Sequence, residues 1–188
     1  MKQFIIDIGN DRLKIKDIIP EQLDRILDWY NMSGEYRYAT GIDGPVSRDM
    51  LIERFICVKG SRSEFFLGIH SVVDNTACCA VVDNADHCDN NIVGTLMGSV
   101  SGSSLWIRLL AIAAEFRGRG LGSMSVSLFL DYMKLDMYVS DVYLSVVENN
   151  LQGRRFWLKN GFHEAKRLEK RFQCDGKEFD IIIMQKRL

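Results

Sequence analysis

Arg117-Gly118-Arg119-Gly120-Leu121-Gly122 strips side chains from a turn that lies between an apolar strand pattern and a helix pattern. Glycine lets backbone amides approach an anion closely, and the unpaired N–H groups of a helix's first turn add the favourable end of its dipole. A diphosphate held there gains several charge-assisted hydrogen bonds, each worth about 1.5–3 kcal/mol. The chemistry this stretch points to is recognition of a pyrophosphate-bearing cofactor. Two nucleotide motifs do not fit. A P-loop needs a Lys and then Ser or Thr after its second glycine, and no Lys stands in or just after this turn. A dinucleotide fingerprint needs G-x-G-x-x-G. Here Gly122 comes one position early, Ser123 stands where the third glycine belongs, and Asp141 begins the next strand pattern instead of ending it.

A second block lies downstream, Asn150-Leu151-Gln152-Gly153-Arg154-Arg155-Phe156-Trp157-Leu158-Lys159-Asn160-Gly161-Phe162. It is similar to the N-x-x-A-x-x-F-Y-x-K-x-G-F segment of the Gcn5-related N-acetyltransferase (GNAT) superfamily. The first block, read as Arg/Gln-x-x-Gly-x-Gly/Ala through Arg117, Gly120 and Gly122 after the run Leu109 to Phe116, resembles that family's acetyl-CoA signature. Both blocks stand in the family's order and spacing. The resemblance runs from about Asn91 to Phe162, and the remainder agrees in element order.

The resemblance implies one domain over residues 1–188, of mixed α/β class. Its central sheet would be mixed and largely antiparallel, with a splayed parallel strand pair, and flanked by helices. It implies acetyl-CoA as cosubstrate, no metal, and direct acetyl transfer to a primary amine of a small molecule or peptide. By the same likeness, backbone at Leu110, Ala111 and Ile112 would pair with the pantetheine arm between the 109–113 and 142–147 strands. Amides of Arg117, Gly118, Arg119, Gly120, Leu121 and Gly122 would hold the diphosphate, and Asn150 and Trp157 would face the cofactor. Asn150 also reads as a plain helix cap, and Trp157 as a core aromatic.

The attacking amine must be neutral. At pH 7 a lysine-like amine of pKa about 10.4 costs about 4.6 kcal/mol to deprotonate, against about 1.4 kcal/mol for an α-amine of pKa about 8. Glu115 and Glu148 are the nearest candidates for a base, and each reads equally as a solvated or strand-end residue. Trp157 stands where many relatives carry a tyrosine proposed to protonate the leaving thiolate, and an indole cannot do so. Releasing a thiolate of pKa about 8.5 costs only about 2 kcal/mol at pH 7, so its loss need not abolish turnover. Ser104 occurs near where some relatives place a glutamate. A noncatalytic acyl-CoA-binding domain and a transferase for larger acyl groups are the alternatives.

These groups need a scaffold. Leu13 to Lys16 alternates as a strand, and Pro20 opens a helix with Leu23, Ile26, Leu27 and Tyr30 on one face. Ser47 caps a second helix to about Lys59. Between these helices, Asn31 to Val46 is a long loop with Tyr36, Tyr38 and Asp43. In the resembling family this segment borders the acceptor, so Tyr36 and Tyr38 are substrate-binding candidates, or aromatic cover for an apolar edge. Strands are expected at Phe65–Val73, Ile92–Val100 and Leu105–Ala113, with an additional one at Ala77–Val82. Within the Leu105–Ala113 run Arg108 reaches an edge or cleft, or is an exposed strand charge. Leu121, Met124, Leu128, Tyr132 and Leu135 mark a helical core stripe, followed by a parallel strand at Val142–Val147. A helix from Leu151 to Asn160 then stops at Gly161, and a hairpin turns at Asp175-Gly176.

The chain has 188 residues, with 24 Lys plus Arg against 25 Asp plus Glu, and a net charge of -1. That balance gives no field for nucleic acid or an anionic membrane, and no stretch approaches the roughly 20 apolar residues of a span. No secretory signal is read at the N-terminus. The five cysteines form no disulfide framework, which favours reduced thiols in the cytoplasm. Cys78, Cys79, His87 and Cys88 cluster without a C-x-x-C pair, and adjacent cysteines in a strand face opposite ways, so no metal site is read there. The edge of the terminal hairpin offers pairing with a second copy, a possible homodimer.

Overall fold

Apolar residues that alternate or run together from Leu13 onward assemble into one eight-stranded sheet of order β1-β2-β3-β4-β5-β6-β8-β7. The computed structural model describes residues 6–32, 44–59, 61, 63–72, 91–174 and 176–188. Its strands are β1 (Asp7–Gly9), β2 (Leu13–Asp17), β3 (Glu64–Ser71), β4 (Ile92–Ser101), β5 (Ser104–Ile112), β6 (Asp141–Val147), β7 (His163–Cys174) and β8 (Lys177–Arg187). Every neighbouring pair is antiparallel except β5 and β6. Among the described residues the helices are α1 (Leu23–Met32), α2 (Arg48–Lys59), α3 (Leu121–Leu135) and α4 (Leu151–Lys159). The mixed sheet with one parallel pair and flanking helices is the architecture expected from the resemblance.

Two apolar clusters lie on opposite faces of the sheet. One joins α3 and α4 to Leu105, Ile107, Val142 and Leu144. The other joins α1 and α2 to Phe66, Leu109, Ala111 and Ala113. β5 serves both because of one extra residue. Gly98 of β4 pairs with Ile107 and Met97 with Leu109, so Arg108 is a bulge. The side-chain period of a strand is two, and an inserted residue exchanges its faces. Leu105 and Ile107 therefore point to α3, whereas Leu109 and Ala111 point to α1 and α2. The continuous apolar reading of this strand has that cause.

Caps fall where the sequence puts them. Ser47 Oγ accepts from the Met50 amide at 3.1 Å, and Asn150 Oδ1 from the Gly153 amide at 2.8 Å. α4 ends on Gly161 in the left-handed region (φ 84°). The Phe162 amide there donates to Trp157 O and the Gly161 amide to Leu158 O. This double bond pattern is a Schellman cap, and its usual apolar contact is the Phe162 ring 5.0 Å from that of Trp157.

Other expectations need correction. The buried stripe of α3 is Leu121, Ser125, Val126, Phe129, Leu130 and Met133. Met124, Leu128 and Tyr132 flank it half-buried, and Leu135 is exposed. The helix is apolar over most of its circumference, and tertiary packing sets its phase: Phe129 meets Phe65 at 5.1 Å between ring centroids. Buried Ser125 is satisfied by donating to Leu121 O at 2.8 Å. β1 was not foreseen, and the terminal hairpin is far longer than the turn suggested. The predicted strand to Val73 ends at Ser71. Tyr36, Tyr38, Asp43, the strand at 77–82 and the cluster Cys78, Cys79, His87 and Cys88 lie outside the described residues.

β7 forms the outer edge of the sheet. It is bulged between Glu164 and Lys166 and between Leu168 and Phe172, and carries Lys166, Arg167, Glu169, Lys170 and Arg171. Bulges and charges on an edge oppose strand addition by another chain.

Candidate active site

The parallel pairing of β5 with β6 runs from Ser104 and Asp141 to Ile107 and Leu144, and stops there. Beyond it β5 stays with β4, and β6 stays with β8. The two strands thus part at the Arg108 bulge, and a cavity of about 420 Å³ opens between them. Its walls are Leu109 to Ile112 of β5 and Leu144 to Val146 of β6, the turn from Phe116 to Ser123, and one face of α4.

Hydrogen bonding of Ala113 N–H to Val93 O fixes the alternation along β5. The N–H and C=O groups of Leu110 and Ile112 then turn away from β4, toward the gap. Consistent with this, Arg117 Nε donates across the gap side to Ile112 O at 2.9 Å.

The turn is shaped by glycine where only glycine is comfortable. Gly118 (φ 74°) and Gly120 (φ 79°) are left-handed, and a Cβ at either would meet nothing within 4 Å. Gly120 is the N-cap of α3 without a side-chain cap bond, and the first helical turn carries no acidic residue. The first intrahelical bond runs from Met124 N–H to Gly120 O at 3.0 Å. The amides of Leu121, Gly122 and Ser123, all cavity-lining residues, are therefore the helix's unpaired first turn. At Gly122 a Cβ would lie 3.2 Å from the Phe156 ring, so its absence brings α3 close against α4.

Leu110, Ala111, Ile112, Arg117, Gly118, Gly120, Leu121, Gly122, Asn150 and Trp157 all line this cavity. Arg119 does not: its guanidinium lies 5.5 Å from the Phe116 ring centroid and donates to Glu115 O at 3.1 Å. Trp157 is only 8% exposed and packs edge-on against both Phe156 and Phe162, so it is at once core and wall. Glu115 is exposed on a short 3-10 turn (Ala114–Phe116), and neither it nor Glu148 lines the cavity. Glu148 instead accepts from Arg167 Nη2 at 2.5 Å. Arg167 also binds Asp180, and these two carboxylates hold its guanidinium pKa above the ordinary arginine value.

Sequence reasoning passed over Gln152, Phe156 and Lys159, which line the cavity from α4. Their spacing of four and three residues on one helix face was the available signal. Ser123 and Ser145 were also missed. Among the described lining residues the charged ones are Arg108, Arg117 and Lys159, with no carboxylate. Arg108 is ion-paired with Glu64, and Arg117 and Lys159 beside unpaired amides make a site for an anion.

A second cavity of about 340 Å³ lies on the other face, lined by Tyr30, Val46, Met50, Leu51, Glu53, Arg54, Cys57, Phe66, Met97 and Leu109. Leu109, next to the parting of the strands, borders both cavities. Tyr30 is anchored there by a buried 2.8 Å hydrogen bond between its hydroxyl and Thr95 Oγ1. The Asn31 carboxamide donates to Val46 O and accepts from Val46 N–H, both at 2.9 Å, which ties the end of α1 to the approach of α2.

A sheet divided at its parallel pair, with an amide-lined turn at the mouth of the gap, is the frame of an acyl-group transferase. The chain belongs to the acetyltransferase (GNAT) family, whose model matches residues 48–162, and it is an acetyl-CoA-dependent acetyltransferase by that membership. An uncharacterized N-acetyltransferase of Methanocaldococcus jannaschii is 27% identical over 124 residues, which span 66% of this chain and 75% of that protein. The fold is shared with spermidine N-acetyltransferase of Vibrio cholerae, solved with CoA and spermine, at a TM-score of 0.74 and 19% identity. That match covers 95% of this chain and 96% of the other. A GNAT-family acetyltransferase from Bacillus anthracis superposes with a TM-score of 0.76 at 12% identity, over 97% and 98% of the two chains.

Proposed function

We propose that the protein transfers the acetyl group of acetyl-CoA directly to a primary amine of a small molecule or peptide. The observation that carries this reading is the cavity between β5 and β6, which offers unpaired amides together with Arg117 and Lys159 and whose described lining holds no carboxylate. The donor set fits CoA. The turn from Arg117 to Gly122 would hold the diphosphate, the gap-facing backbone of Leu110 and Ile112 the pantetheine arm, and Lys159 adds positive charge along the wall. Bound acetyl-CoA supplies an activated thioester.

The second cavity, on the α1 and α2 face, shares Leu109 with the donor cavity, which supports this face as the side from which the amine approaches. The chain's contribution is placement of the amine against the acyl carbon, a source of large rate gains without an ionisable catalyst. Glu115 and Glu148 stand outside both described linings, so we assign neither as the base. An amine of pKa near 8, already partly neutral at pH 7, suits such a site better than a lysine-like one by about 3 kcal/mol.

Calorimetry with CoA and acetyl-CoA, followed by release of free thiol upon adding amines, tests the reading. Micromolar CoA binding and amine-dependent thiol release are expected. Absence of any binding heat for both ligands on folded protein would overturn it.

A further inference from the structure

Beside the parting of β5 and β6 the sheet carries an aromatic platform that the donor site does not use. Cross-strand partners share a sheet face, and the register aligns Ser99 of β4, Trp106 of β5, Tyr143 of β6 and Gln185 of β8 in one row. Trp106 and Tyr143 lie nearly parallel, with centroids 6.0 Å apart and planes 18° from one another. Gln185 Nε2 fixes the Tyr143 hydroxyl at 3.2 Å. Trp106 remains 37% exposed, a large apolar surface left to solvent at the centre of a sheet.

This platform is continuous with the donor cavity. Ser145 follows Tyr143 at the strand period of two, on the same face, and lines the cavity; so does Arg108, two residues beyond Trp106. The face is also the one that α1 and α2 cover further along: the bulge puts Trp106 on the side of Leu109, which borders the second cavity. Trp106 and Tyr143 line neither cavity, but Ser145 and Arg108 connect them to the donor cavity along this face, which leaves the rings within reach of a group attached to an amine at the parting point.

The carboxylates on the platform's own face are already engaged. Glu64, the carboxylate nearest the bulge, is neutralised by Arg108 at 2.5 Å. Asp141, at the far end of the row, accepts hydrogen bonds from Ser140 and Gln185. Arg187 stands opposite Asp141 and His163 opposite Gln185 in the strand register, so basic residues border the same face. What remains to be recognised is flat and apolar, and two parallel rings offer stacking and edge contacts to a third.

Resting on the acetyl-transfer reading above, we infer that the acceptor is an amine borne by an aromatic group with no second positive charge, and that Trp106 and Tyr143 determine this specificity. The test compares kcat/KM for 2-phenylethylamine, 2-cyclohexylethylamine and spermidine in the wild type, Trp106→Ala and Trp106→Phe, with CoA affinity measured on each by calorimetry. Each amine makes the same deprotonation demand on every variant, so a change in the phenyl-to-cyclohexyl ratio reports the ring contact alone. The wild type should favour 2-phenylethylamine over spermidine. Trp106→Ala should lower the phenyl-to-cyclohexyl ratio about five- to tenfold, chiefly through KM, and Trp106→Phe should restore most of it. A CoA dissociation constant within twofold of the wild-type value shows that the variants are folded at the donor site. A ratio unchanged in Trp106→Ala, a preference for spermidine, or CoA binding without transfer to any of the three amines would overturn the inference and leave the donor site standing. Loss of CoA binding in the wild type itself would remove both.

Discussion

Replacing Gly120 with Ala separates the conformational role of the turn from its role in binding. Gly120 holds φ at 79° as the N-cap of α3, and a Cβ there would have open space on all sides. The cost is therefore backbone strain alone, about 1–2 kcal/mol for an L-residue forced into the left-handed region. Relief of that strain by rotating out of the region would swing the neighbouring amides away from the cavity mouth. Each charge-assisted bond lost is worth about 1.5–3 kcal/mol, so CoA should bind at least about tenfold more weakly. Gly102 supplies the control: it has φ 58°, equally open surroundings, and a position in the β4–β5 turn away from the cavity lining. Gly102→Ala should cost similar stability, about 2–4 °C in Tm per kcal/mol for a chain of this size, while leaving the CoA dissociation constant unchanged. Urea or thermal unfolding together with calorimetry gives both numbers for each variant. Equal weakening of CoA binding in the two variants, or wild-type affinity in Gly120→Ala, would refute the assignment of the turn.

Two further perturbations probe the scaffold. Tyr30→Phe removes the partner of Thr95 Oγ1, which is 0% exposed, and should destabilise the fold by about 1–3 kcal/mol; Tyr30→Phe combined with Thr95→Val should recover most of that loss in a denaturant double-mutant cycle. Asp180 has its pKa lowered first by the Lys170 backbone amide and then by the Arg167 side chain, so its contribution is present above its unfolded pKa of about 3.9 and is lost as pH falls through the lower folded value. The stability difference between the wild type and Asp180→Asn should accordingly be flat near neutrality and shrink below about pH 4, and a difference that grew on acidification in urea titrations would contradict this sign.

Where one residue type has one structural use, the chain was legible. Gly118 and Gly120 sit at left-handed positions, Asn150 caps α4, and Gly161 with Phe162 closes it, all as their types and spacing imply. The parallel β5–β6 pair followed from a strand, turn, helix and strand in succession. What escaped notice depends on partners remote in sequence. The run Leu105 to Ala113 is apolar at both parities, so nothing local reveals that Arg108 exchanges the faces. α3 offered two apolar stripes, and packing against Phe65 chose between them. β7 is almost wholly exposed and charged, so its strand character rests on β8 and not on an alternating pattern. For the candidate bases, proximity in sequence to the turn does not carry over into the described cavity linings: Glu115 is exposed, and Glu148 accepts from Arg167.

The grip of Asn31 on Val46 has a mechanical corollary. One carboxamide satisfies both backbone polar groups of a residue 15 positions away, so the ends of the intervening stretch are pinned whatever its composition. Asn31 thereby works as a rivet between the end of α1 and the residue leading into α2, and it grips through main-chain groups that any residue at position 46 other than proline would present.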